Sequence, residues 1–300
     1  MKRSFIILIL LVTSIYTAKS QSYELGICGG VSFYMGDLNP KSVFNGSRPA
    51  GGILFRYNIN PRLSFKATAM FGSLEASDAK TGDLARNLSF RSPISEISAQ
   101  IELNFLKLYN EKGLNPFSPY IFVGIGVFSF NPQAKYNDTW YDLQPLGTEG
   151  QELYQTDIDI FTTYDAKRYS LTNFAIPFGI GMRFNFLKYY CVGLEWGFRK
   201  TFTDYIDDVS GSYVSRDLFI QTRSLLVADL ADRTTVMKND MPDYHKAGSA
   251  RGNNKNTKDW YSFAVLNFTF RLNNPVSCHN SKPGTSTQIK KMKTKKAYKR

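Results

Sequence analysis

Six charged residues, Arg56, Lys66, Glu102, Arg183, Glu195 and Arg199, stand in stretches where apolar and polar side chains alternate. Charges so placed either neutralise one another as buried ion pairs or serve as acids, bases or ligands of a site. The second use lacks its companions. Histidine, the usual base for a serine nucleophile, occurs as His245 in a long polar segment and as His279 in a basic tail. Neither falls on a strand face beside a serine, so a lipid-modifying serine enzyme is not expected. Asp204, Asp207 and Asp208 in TDYIDDVSG could offer oxygens to Ca²⁺, but the rest of an EF-hand-like spacing is missing. They read as turn-forming and capping acids. The expectation is a non-enzymatic protein with no cofactor and no metal, its six charges forming a network among themselves.

The elements that must position those charges are strands. In Asn173–Thr203, Phe174, Ile176, Phe178, Ile180, Met182, Phe184 and Phe186 alternate with small or polar residues, and Tyr190, Val192, Leu194, Trp196 and Phe198 do so again after a turn. A strand points successive side chains to opposite faces, so this is a hairpin with an aromatic-rich face and a face of charge and glycine. A lipid-exposed barrel around a narrow lumen needs that arrangement. Matching patterns predict strands over about 23–35, 50–59, 62–76, 94–108, 118–130 and 259–272. The stretch 118–130 is apolar or glycine on both faces, so its orientation is open. The fold expected is all-β, an eight-stranded antiparallel transmembrane β-barrel with two long extracellular loops, 131–170 and 203–257. A secreted β-sandwich would leave its long aromatic faces uncovered.

Eight strands enclose an interior that side chains fill, which argues against an open pore. Cys28 and Cys191 point into it from non-neighbouring strands and read as small fillers rather than a disulfide. Tyr57, Tyr109, Tyr189, Tyr190, Trp260 and Tyr261 lie near strand ends, as interfacial girdles require.

Residues 1–20 have the positive start, short apolar core and Ala-Lys-Ser end of a signal peptide, residues 21–272 the barrel, and residues 273–300 a basic, disordered tail. The two ends carry all but +1 of the net charge of +12, so nucleic-acid binding is not expected. Lys290, Lys291, Lys293, Lys295 and Lys296 are candidate partner contacts. Short turns alternate with long loops, which places the short turns and both termini in the periplasm of a Gram-negative cell.

The stretches GDLNP (36–40), SPYIFVGIGVFSFNPQA (118–134), LQPLGTEGQ (143–151), FRKTFTDYIDDVSGSY (198–213), RGN (251–253) and DWYSF (259–263) resemble the PorG-type outer-membrane barrels of Bacteroidetes, a DUF6089-like family. The resemblance spans about 23–272, and Pro145, Gly147 and Glu149 join Asp204, Asp207 and Asp208 as its loop-motif residues. It implies a component of the type IX secretion system that is not the conduit. Its implied partners are outer-membrane lipids and the periplasmic ring of the PorK lipoprotein and PorN. The alternatives are a surface receptor acting through its outer loops and a small-solute channel.

Overall fold

A computed structural model describes residues 21–40, 44–82, 86–110, 113–153, 167–186, 189–234, 245–252 and 257–273. The expected signal segment and the five tail lysines lie outside the described residues. Eight long strands run β1 (Ser22–Met35), β2 (Arg48–Asn58), β3 (Leu63–Ser77), β4 (Ser89–Asn104), then, after a two-rung hairpin of β5 (Tyr109–Asn110) and β6 (Gly113–Leu114), β7 (Phe117–Phe130). The hairpin of β8 (Gln133–Tyr136) and β9 (Thr139–Asp142) precedes β10 (Thr172–Asn185), β11 (Tyr190–Thr201) and β12 (Trp260–Arg271). Each long strand pairs antiparallel with the next long strand, and β1 pairs with β12, from Glu24 opposite Arg271 to Met35 opposite Trp260. The ring is closed and leaves no long strand edge.

Alternation decides which side chains face where. Ile97 and Ile125 are each 72% exposed on the outer wall, whereas Arg56 and Arg183 are 1% exposed inside. Apolar outside and charged inside inverts a water-soluble domain and suits a hydrocarbon surround. No helix among the described residues is long and apolar enough to cross a membrane. The orientation of β7, open from its sequence, is settled by its neighbours. Tyr120, Phe122, Phe128 and Phe130 point inward and Ile121, Val123, Ile125 and Val127 outward. Glycines opposite make the room: a Cβ at Gly181 would lie 2.3 Å from the Tyr120 ring.

Three expectations need correction. Strand β4 begins at Ser89, five residues before the expected start, because Ser73–Ser77 of β3 pairs with Ser89–Pro93 as an arm rising above the rest of the ring. Tyr261 is not a girdle residue. Its position in β12 faces the lumen, where it is fully buried, and Tyr109 is also buried, whereas Tyr189 and Tyr190 are exposed. The described part of the expected loop 203–257 is not a solvated polar loop. It carries the helices Arg216–Thr222 and Leu225–Ala231, and it buries Ile206, Val209, Phe219 and Leu230. With the described residues of 36–47, 78–88 and 131–171 it builds a packed cap over the long-loop end.

Candidate functional site

The lumen is layered. Toward the short-turn end, Glu24 of β1 accepts from three guanidiniums: Arg183 at 2.6 Å, Arg271 at 3.0 Å and Arg56 at 3.2 Å. Arg56 also grips Glu102 with two nitrogens, at 2.7 and 3.1 Å. Lys66 bridges Glu102 at 3.0 Å and Glu195 at 2.5 Å, and the Tyr120 hydroxyl donates to Glu195 at 2.6 Å. One layer higher, Arg199 pairs with Glu96 at 3.0 Å, and Tyr261 donates to the same carboxylate at 2.8 Å. Above these lies an apolar plug that includes Leu74, Phe90, Ile94 and Phe130, while Phe128 lies opposite Glu96 and the Phe263 ring packs against the Arg199 guanidinium. A cavity of about 10 Å³ remains beside Cys28, Lys66 and Arg199, room for roughly one water.

Five of the six charges named from the sequence, Arg56, Lys66, Glu102, Arg183 and Glu195, therefore lie in one network. Arg199 stands apart on Glu96. Glu24, Glu96 and Arg271 complete the set, and the same alternation places all three inward. Cys28 and Cys191 are buried and free, Cys28 with its thiol 3.2 Å from the Met70 sulfur.

The cap is a second polar constellation, held by two arginines. Arg86 grips Asp78 with nitrogens at 2.8 and 2.7 Å and donates to the carbonyls of Asp37 at 2.8 Å and Arg251 at 3.2 Å. Arg251 donates to the Ala231 carbonyl at 3.1 Å, the Asp208 carbonyl at 2.6 Å and the Thr148 hydroxyl at 3.0 Å. Glu149 lies 3.4 Å from Arg251 and accepts the amides of Ser210 and Gly211, each at 2.9 Å. Burial, only partly offset by Arg251 and these amides, pushes Glu149 up to about 7. Asp208, in the left-handed region at φ 65°, accepts from Tyr169 at 2.6 Å and from Thr148. Burial raises its carboxyl as well, against the pull of Arg251.

Asp204, Asp207 and Asp208 are thus buried parts of the cap, and Asp207 also forms a turn, its Oδ1 accepting the Val209 amide at 3.0 Å. The structure brings Asp208 to Arg251 beside Glu149, and sends Asp207 to Tyr34 at 2.5 Å and Asp204 to Ser210 at 2.7 Å. Gly147, at φ 61°, ends the short helix Leu143–Leu146 that contains Pro145, and Arg223 holds the Leu146 and Gly147 carbonyls. The sequence reading missed Arg86 and Asp78. Arg251 and Asp259 fall inside quoted stretches without being singled out. His245 lies flat on Tyr213, ring centroids 4.1 Å apart, with its Nδ1 3.3 Å from Asp232. Among the described residues, no group of three or more His, Cys, Asp or Glu side chains is placed to hold a metal ion.

The class this geometry defines is a closed eight-stranded barrel of the outer-membrane type, lumen filled and one end capped. Residues 2–144 match a domain of unknown function, DUF6089. Solved structures similar to the chain include Ail, the attachment invasion locus protein of Yersinia pestis (10% identity, TM-score 0.36, 84% of this chain and 97% of that one). Neisserial surface protein A (9%, 0.38, 83% and 96%) and a major outer membrane protein from Thermus thermophilus (10%, 0.38, 84% and 99%) are also similar. No curated protein matches the sequence.

Proposed function

We propose that the chain is a non-enzymatic outer-membrane barrel that supports the type IX secretion machinery, its short-turn end facing the periplasm and contacting the secretion ring. The observation that carries the first half is the blocked lumen: five cations interlock with four carboxylates beneath an apolar plug. A barrel so filled is suited to holding something at its ends. The secretion role rests on the resemblance of its loop motifs. On this reading the turn at Asn58–Pro61, the connection Tyr109–Phe117, the turn 187–189 and the basic tail meet the PorK- and PorN-type ring proteins. A tagged copy purified from detergent-solubilised membranes is expected to bring those proteins with it. Recovery of the barrel alone would overturn the anchoring role.

A receptor acting through the outer loops is the second reading, and the ordered cap favours it. Replacing 204–256 by a short linker separates the two. Under the anchoring role, ring capture and cargo secretion persist, whereas a receptor loses its function with secretion intact.

A further inference from the structure

The Tyr34 phenol leaves the upper end of β1 fully buried, with its oxygen 2.5 Å from Asp207 Oδ2 and 2.7 Å from Asp259 Oδ1. A phenol has one hydrogen to donate. Oxygen atoms this close each need a hydrogen between them, so the trio contains one hydrogen more than the phenol supplies. That hydrogen belongs on one of the two carboxyl groups, which then donates to the phenol while the phenol donates to the other. The far oxygens are already matched: Asp207 Oδ1 accepts from the Val209 amide at 3.0 Å and Asp259 Oδ2 from the Ile206 amide at 2.9 Å.

Among the described residues, the surroundings contribute acids and no close cation. Asp37 faces the trio from the segment after β1, and Asp204 from the turn that carries Asp207. Lys258, next to Asp259 in the chain, is exposed. Arg86 is committed to Asp78, and Arg251 to Glu149 and Asp208. From β4 the Phe90 ring meets Tyr34 edge-on at 4.9 Å, and Tyr261 of β12 turns down to Glu96.

We propose that Tyr34, Asp207 and Asp259 form a proton latch: one proton shared through the phenol fastens the cap to the first and last strands, and its loss loosens the cap. With both carboxylates ionised, one contact would set an anion against a phenol lone pair in buried surroundings, where such a mismatch is costly. Burial and the neighbouring acids hold both carboxyls well above the usual carboxylate range. A group whose folded value is raised contributes its full stability below its unfolded value, about 3.9 for aspartate. That contribution is lost as pH rises through the folded value. Between the two values, losing one proton increases cap opening about tenfold per pH unit, and beyond the folded value opening levels off. The inference is independent of the secretion reading.

The test uses the full chain in detergent micelles. Amide exchange across 202–234 is followed from about pH 5 to 9, corrected for the intrinsic pH dependence of exchange, beside the infrared band of protonated carboxyl groups. The expected result is a protonated-carboxyl band at neutral pH, with exchange of the cap rising about tenfold per pH unit while the band persists and levelling off as it disappears. The trio's share of both signals should vanish in Asp207→Asn and in Asp259→Asn, whereas Glu152→Gln, at an exposed pair with Arg168, should leave them as in the wild type. Should both Asn variants fail to fold, the same infrared titration on Glu149→Gln, which lacks the cap carboxyl that titrates near 7, decides the matter. A wild type with no such band while its cap stays protected would overturn the latch. So would a pH slope that survives both Asn changes, or cap protection that follows added Ca²⁺ or a chelator at fixed pH, which would place a cation between the carboxylates.

Discussion

Arg56 touches both Glu24 and Glu102, so its removal takes a cation from each of two buried carboxylates, leaving Glu24 to Arg183 and Arg271 and Glu102 to Lys66. Breaking a buried ion pair by deleting one partner costs about 3–5 kcal/mol. Arg56→Ala should therefore lower the urea midpoint of the micelle-folded barrel by a large fraction, whereas Lys80→Ala, at an exposed pair with Glu75, should move it little. Glu149 supplies a pH test in the cap. Its folded value, about 7, lies above the ordinary 4.5, so its contribution is complete below about 4.5 and is lost as pH rises through 7. Glu149→Gln should flatten the change in cap protection over that window, measured by limited proteolysis near 149–153. The lumen charges were legible because alternation alone puts them inside. Arg86 and Asp78 were not, since their meaning depends on segments far apart in the chain that only the folded cap brings together.

At the scale of elements, β7 fills the lumen with rings, and the glycines of β10 and β11 receive them. Gly181→Val and Gly197→Val would drive a side chain into Tyr120 and Phe122 respectively, an overpacking cost of about 1–3 kcal/mol each. Reduced heat-resistant migration on gels would report it. At Gly29, on the outer wall, a Cβ meets nothing within 4 Å, so Gly29→Ala should leave migration unchanged. The strands with one charged face were readable from period alone. The two-faced apolar β7 was not, because only its register with β4 and β10 shows which face is which. The helices of 202–259 escaped a reading that took turn-rich polar sequence for solvated loop, since their buried faces, Val227, Ala228, Leu230 and Ala231, cover little more than one turn.

For the molecule as a whole, a filled lumen predicts no steady conductance in a planar bilayer. The block has two parts, and they can be separated. Arg199→Ala with Glu96→Ala would empty the upper ionic layer, yet Phe130 still stands above it and Phe128 and Phe263 beside it. That pair should remain closed. Opening is expected only when those three rings and the lower network around Glu24 and Glu102 are removed as well, and current through the ionic pair variant alone would show the remaining layers to be no barrier. The ring, its outward apolar band and its strand order could be read from one sequence. The cap could not, because it is made of contacts between distant segments rather than of a repeating pattern.

The seam between β1 and β12 gives those distant contacts a place in time. Tyr34 ends the first strand and Asp259 precedes the last, 225 residues away, so they can meet only after the two ends of the sheet have joined. A chain halted with that seam unzipped would carry a loose, protease-sensitive crown, and the appearance of a protected one would mark the moment the cylinder shuts. Contacts of such separation form late in folding. The crown thus serves as a built-in clock for assembly, and stopped-flow tyrosine fluorescence against cap proteolysis would read it.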